Sequence, residues 1–202
     1  MPSRTPSVLG LALAGGASSR MGREKALALL AGEPLLARVL RRLAPQVAGV
    51  ALSANGEPER FSAFGAPVLA DPSHVLGCGP LAGVLAGLDY AGRLGMDMVA
   101  TVPSDAPFLP MDLVARLACE RIGDEIAFAR NSAGDQPLFA LWPLAVRSAI
   151  AAALEGGRRS AIDLIARAAH RAVLFETAEP DPFFNVNRPD DLEAAERWLA
   201  ER

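Results

Sequence analysis

The chain has 202 residues, 51% of them apolar, with 20 basic residues against 23 acidic ones and a formal net charge of -3. That length suits one domain with a substantial core, and the near-balance of charge excludes a general nucleic-acid binder, whose affinity comes from neutralising phosphates. No apolar stretch approaches bilayer-spanning length, and Cys78 and Cys119 lack metal-site spacing, so both are expected as reduced thiols in a cytoplasmic protein.

Residues 1 to 6 are polar and proline-containing and read as disordered. Arg4 followed by the apolar run Val8 to Ala14 superficially resembles a signal peptide, but the run is too short and passes straight into a glycine pair. Val8 to Ala14 is instead predicted as a buried strand. Pro34 to Ala44 reads as a helix, with Leu35, Leu36, Val39, Leu40 and Leu43 on one face. Strands follow at 48–53, ending in Asn55-Gly56, and at 67–70, ending in Asp71-Pro72, with a short helix or turn over 58–64 between them. A glycine-rich loop, Gly77-Cys-Gly-Pro80, leads into a helix carrying Leu81, Val84, Leu85 and Leu88 at i, i+3, i+4 and i+7. Residues 96–102 are a buried strand ending in Pro103-Ser-Asp-Ala-Pro107, and a helix covers 111–121. Beyond it, strands are predicted at 125–129 and 137–142, helices at 144–154 and 161–168, a last strand or extension at 172–176 and a closing helix at 189–200. This alternation predicts an α/β fold of three layers, a mostly parallel sheet with helices on both faces.

The residues with chemical potential concentrate after strands. Leu13-Ala-Gly-Gly-Ala-Ser-Ser-Arg-Met-Gly-Arg-Glu-Lys25 combines paired glycines, which let backbone approach a ligand closely, with two small serines and the cations Arg20 and Lys25. It is neither a P-loop, which requires Gly-Lys-Ser/Thr, nor a Gly-x-Gly-x-x-Gly dinucleotide loop. It reads as a pocket for a multiply charged phosphate. Asn55, Asp71 and Asp105 each follow a predicted strand, so all three converge with this loop on the carboxyl rim of the sheet. Asp105 stands between two prolines that stiffen its turn, and one such carboxylate facing a triphosphate suits Mg2+. Its alternative is a helix cap, a role better suited to Asp112. Asp71-Pro72 and Asn55-Gly56 are also ordinary turn dipeptides. His74 and His170 have no carboxylate or cysteine company in sequence and read as surface residues.

The Leu-Ala-Gly-Gly-x-Ser-x-Arg-Met-Gly-x-x-Lys loop resembles the signature of Rossmann-like nucleotidyltransferases, and within them the molybdenum cofactor guanylyltransferase family. Pro103-x-Asp105-x-Pro107 is similar to that family's magnesium turn, and Gly79-Pro-Leu-Ala-Gly83 to its second nucleotide loop. Glu24 stands where Asp is usual. The resemblance implies one nucleotidyltransferase domain over 1–202, with a nucleotide half at about 8–107 and a pterin half at about 108–202. It implies transfer of GMP from GTP to the terminal phosphate of molybdopterin. Leu13, Ala14, Gly15, Gly16, Lys25, Asn55, Asp71 and Asp105 would bind the nucleotide. Arg20, Lys25 and Asp105 would carry catalysis, with Mg2+ on Asp105.

Gln136, in Gly134-Asp-Gln-Pro137, and Asn185 and Asn187, in Asn185-Val-Asn-Arg-Pro189, resemble the pterin-side loops. Arg158 and Arg159 are candidates for the pterin phosphate. Related enzymes that use CTP carry Leu-Ala-Ala-Gly in the first loop, so glycine at 15 favours a purine. Molybdoenzymes or their chaperones would be transient partners. The alternatives are a CTP-dependent cytidylyltransferase, another small-molecule nucleotidyltransferase, and a non-catalytic GTP-binding docking module.

Overall fold

In the computed structural model, residues 6–15 and 25–201 are described. The expected disorder before residue 6, and Gly16, Ser18, Ser19 and Arg20 of the phosphate loop, therefore lie outside the described residues, apart from Pro6. Nine strands and six α-helices follow in chain order among the described residues: β1 (Val8–Leu13), β2 (Leu29–Leu30), β3 (Glu33–Pro34), α1 (Leu35–Leu43), β4 (Gly49–Ser53), β5 (Val68–Leu69), α2 (Pro80–Arg93), β6 (Met98–Pro103), α3 (Leu113–Glu120), β7 (Ile126–Asn131), β8 (Gly134–Pro143), α4 (Arg147–Glu155), α5 (Ala161–Ile165), β9 (His170–Leu174) and α6 (Pro189–Ala200).

Seven strands form one sheet in the order β5-β4-β1-β6-β8-β7-β9, so the sheet runs through both predicted halves of the chain. Strand β8 is antiparallel to β6 and β7, whereas every other adjacent pair is parallel. Six strands thus share one direction, as a chain of strand–helix crossovers requires. The long β8 is irregular: Phe128 faces Ala140, but Ala129 faces Gln136, so Pro137, Leu138 and Phe139 bulge out of the pairing. Proline has no amide to donate and is tolerated at such a bulge.

The sheet separates two apolar layers. On one face α1 and α3 pack Leu36, Val39, Leu43, Leu113, Val114 and Leu117 against Val8, Ala12, Leu52 and Val102. On the other, α2, α4 and α5 pack against Leu9, Leu11, Ala51 and Val99. The even and odd residues of β1 therefore face opposite layers, as the two-residue period of a strand demands. Gly83 and Gly87 let α2 lie hard on the sheet: a Cβ at Gly83 would stand 2.2 Å from Ser53 Oγ, and one at Gly87 2.6 Å from Leu11 Cδ2. A third, smaller cluster lies beneath α6, which covers the β2–β3 hairpin through Ala28, Leu30, Leu35, Phe108, Val186 and Ala195. Trp198 packs edge-on against Phe108 at 5.9 Å and Phe184 at 5.0 Å.

Several elements differ from expectation. The hairpin of β2 and β3 has two residues per strand, too few for any alternation to register. The helix expected over 144–154 opens as a 3-10 turn at Leu144–Val146 before α4. The helix expected over 161–168 closes at Ile165, and Ser160 Oγ caps its start by accepting from Asp163 N at 3.2 Å. Asp112 occupies the N-cap of α3, but its side chain makes no cap bond; Gln46 Oε1, from beyond α1, accepts from Val114 N at 2.9 Å instead. A long-range amide has taken the local carboxylate's role.

One buried polar relay joins the halves of the sheet. Thr101 Oγ1 donates to the Leu138 carbonyl at 2.8 Å and accepts from Trp142 Nε1 at 2.9 Å. Thr101→Val keeps the shape but removes the partner of the buried Trp142 N–H and of the part-buried Leu138 carbonyl, so it is expected to destabilise the fold by about 1–3 kcal/mol. A fall in the urea midpoint at unchanged slope measures this, and an unchanged midpoint refutes it.

Candidate active site

The sheet's ladders run one residue past the strand ends. Ala14 N donates to Ser53 O at 2.8 Å, Ala54 N to Leu69 O at 3.0 Å, and Ser104 N to Leu13 O at 3.1 Å. These bonds fix residues 14, 54 and 104, so Gly15, Asn55 and Asp105 are the first residues to leave the sheet at its carboxyl rim. Ala14 is buried in the α1–α3 layer, and Leu13 packs against the α2 layer. Both side chains are thus committed to the core, and Ala14 N and the Leu13 carbonyl to the sheet ladder. A Cβ at Gly15 would meet Ser53 O at 3.7 Å and Ala54 Cα at 3.8 Å, ordinary contact distances at a φ that alanine adopts. The fold itself does not demand glycine there.

Asn55 and Asp71 lock each other. Asn55 Nδ2 donates to Asp71 Oδ2 at 2.8 Å, and Asp71 N donates to Asn55 Oδ1 at 2.9 Å. The Gly77 amide also reaches Asp71 Oδ2, at 3.3 Å, tying the pair to the loop before α2. By the ordinary inventory of these groups, these bonds leave one Asn55 N–H and the second Asp71 oxygen for a ligand.

Across the rim, Lys25 Nζ lies 3.7 Å from Asp105 Oδ2, with side-chain exposures of 25% and 16%. The same ammonium donates to Asn187 Oδ1 at 2.6 Å, so a residue of the first loop meets one 162 positions later. The 185–187 segment is held in place by backbone: Val186 N donates to the Asp105 carbonyl at 2.9 Å, and Asp191 Oδ2 accepts from the amides of Asn187 and Arg188, each at 2.8 Å. Asn187 therefore does not cap α6; the Asp191 carboxylate reaches back to that end, where the helix dipole favours it. Burial pushes the Asp105 carboxyl above its usual range, against the opposing pull of the Lys25 ammonium and of its own backbone amide.

Asn185 Oδ1 is buried without a hydrogen-bond partner, an acceptor that invites a donor from a ligand. Gln136 opens β8 opposite Ala129; because β8 is antiparallel, its start lies on the same rim as the ends of its neighbours. Arg158 and Arg159 are exposed. The carbonyl of Arg159 is 3.9 Å from where a Cβ of Gly79 would be, so this loop lies against the start of α2. His74 and His170 are both exposed. The Lys25–Asn187 bond has no signal in sequence, since spacing says nothing about partners so distant.

The match to a family model described as the MobA-like NTP transferase domain covers residues 10–173. A molybdenum cofactor guanylyltransferase of Rhodobacter capsulatus is 47% identical over 192 residues, covering 95% of this chain and 96% of that protein. One from Rhodopseudomonas palustris is 44% identical over 198 residues, covering 95% and 94% respectively. In fold, the crystal structure of molybdopterin-guanine dinucleotide biosynthesis protein A from Archaeoglobus fulgidus superposes with a TM-score of 0.78 at 23% identity, over 96% of this chain and all of that one. With this length and level of identity, the chain belongs to the MobA-like NTP transferases, in the family of the molybdenum cofactor guanylyltransferases.

Proposed function

We propose that this nucleotidyltransferase moves GMP from GTP to the terminal phosphate of molybdopterin, forming the guanine dinucleotide and pyrophosphate. The observation that carries the reading is the convergence of Lys25, Asp105 and Asn187 on the strand-end rim. The names of the relatives supply the substrates. A phosphate oxygen of the pterin attacks the α-phosphorus of GTP; the bond from that phosphorus to the α,β-bridging oxygen breaks, and pyrophosphate leaves with the electron pair on that oxygen. The acceptor is itself the nucleophile, so no covalent enzyme intermediate is required, and the protein's work is positioning and charge stabilisation.

Lys25 supplies a cation to the departing pyrophosphate, with Arg20 and the Gly15–Gly16 backbone completing the phosphate loop. The Asn55–Asp71 pair meets the nucleoside, and Gln136, Asn185 and Asn187 meet the pterin, whose hydrogen-bonding edge suits amides. Among the described residues no group of three or more His, Cys, Asp or Glu stands together. Asp105 alone suits Mg2+, which takes one or two carboxylates and completes its shell from phosphates and water. Bound there, Mg2+ would supply neutralisation of phosphate charge. Gly15 supports a purine, because the fold has space for a methyl that is not used.

Among the described residues no helix is long and apolar enough to cross a membrane. Cys78 and Cys119 are free thiols, which suits a cytoplasmic site of action. The dinucleotide product would pass to molybdoenzymes or their chaperones through transient contacts.

Pyrophosphate release, measured with each of the four NTPs in the presence of molybdopterin and with or without Mg2+, tests the reading. Mg2+-dependent release with GTP is expected. Equal release with CTP overturns the base preference, and tight GTP binding without release identifies a docking module instead.

A further inference from the structure

We propose that Arg60 is a positioning residue for the nucleotide, acting through the backbone of Asn55; this rests on the reading that the Asn55–Asp71 pair meets the nucleoside. Arg60 lies in the 3-10 segment Pro58–Phe64, which proline opens and left-handed Gly65 closes. Its Nη2 donates a charge-assisted hydrogen bond to the Asn55 carbonyl. Its guanidinium carbon stands 5.1 Å from the ring centroid of Phe61, which is wholly buried. Phe61 in turn packs on Phe64 at 6.3 Å. The guanidinium is therefore carried on an anchored aromatic platform, which limits where it can point.

The residue between Asn55 and this segment fits the same arrangement. Gly56 has φ +88°, and a Cβ there would come 3.4 Å from Arg60 Nη2. Glycine at this position gives both the turn and the room for the guanidinium. Without Arg60 the Asn55 carbonyl loses its charged donor just where the chain leaves β4. The plane of that peptide is then less constrained, and the reciprocal Asn55–Asp71 bonds are aimed less sharply.

The test is steady-state kinetics of Arg60→Ala, Arg60→Lys and Asn55→Ala, varying GTP at saturating molybdopterin and Mg2+, with thermal midpoints recorded for each. Arg60→Ala is expected to raise KM for GTP about tenfold, the worth of one charge-assisted hydrogen bond, with kcat and the acceptor KM within about twofold of the parent. Arg60→Lys should recover part of the loss, since an ammonium still donates to the carbonyl but does not stack as a planar group does. If KM for GTP rises in Asn55→Ala but not in Arg60→Ala, the role of Arg60 is overturned while the site stands. If KM is unchanged in both and turnover continues, the nucleoside site itself is misassigned. A parallel fall of thermal midpoint and kcat in both Arg60 variants overturns positioning in favour of a purely structural brace.

Discussion

Lys25→Ala is expected to lower turnover at least about a hundredfold, the usual loss when a preorganised donor to a developing charge is removed. The ammonium is held from two sides, by Asn187 Oδ1 at 2.6 Å and Asp105 Oδ2 at 3.7 Å, so it does not have to be ordered at the moment of reaction. Its loss also removes the cation that opposes the effect of burial on Asp105. The Asp105 carboxyl then titrates at higher pH, and the acid limb of the pH–rate profile moves upward in this variant. Residual pyrophosphate release, followed across pH, reads both effects. Turnover within about tenfold of the parent, with an unmoved acid limb, refutes the assignment of Lys25.

Asp105→Asn should separate activity from stability. Loss of the carboxylate that faces the phosphates is expected to lower turnover by about a hundredfold or more. The fold should gain. In the ligand-free protein burial raises the Asp105 carboxyl above its unfolded value. An acid shifted in that direction contributes stability below its unfolded value and loses it as pH rises through the folded one. At neutral pH the ionised carboxylate is therefore a cost, and asparagine removes the charge while keeping the shape. The urea midpoint of Asp105→Asn should exceed the parent's at neutral pH, and the difference should close as the medium is acidified below the carboxylate range. A midpoint below the parent's at neutral pH means that the Lys25 contact outweighs burial.

Much of the rim was legible in the sequence because strand order and strand ends are. Apolar runs of five or six residues mark β1, β4 and β6, and the residue following each run must emerge on the same edge. That logic brings Gly15, Asn55 and Asp105 to one side with no knowledge of contacts, and Asp71 joins them after the shorter β5. The closing helix α6 was equally plain, with Pro189 at its start and acids in its first turn.

What stayed hidden depends on geometry with no local trace. The bulge at Pro137–Phe139 is a property of two strands together, and the Gln46 cap on α3 spans 68 residues. Asn55 and Asp71 read as separate turn residues, and their mutual locking needs β4 beside β5. Arg60 carried no motif at all; its meaning comes from Phe61 below it and Gly56 in front.

The bond between Lys25 and Asn187 has a consequence for how the molecule is made. Synthesis runs from β1 to α6, and domains generally begin to fold as they emerge from the ribosome. Every strand of the main sheet is translated before Asn187, Asp191 and Trp198 exist. A nascent chain can thus assemble the sheet while the amine at position 25 still lacks its distant holder and the β2–β3 hairpin its cover. Competence therefore waits until the segment carrying Asn187, Asp191 and Trp198 has been made.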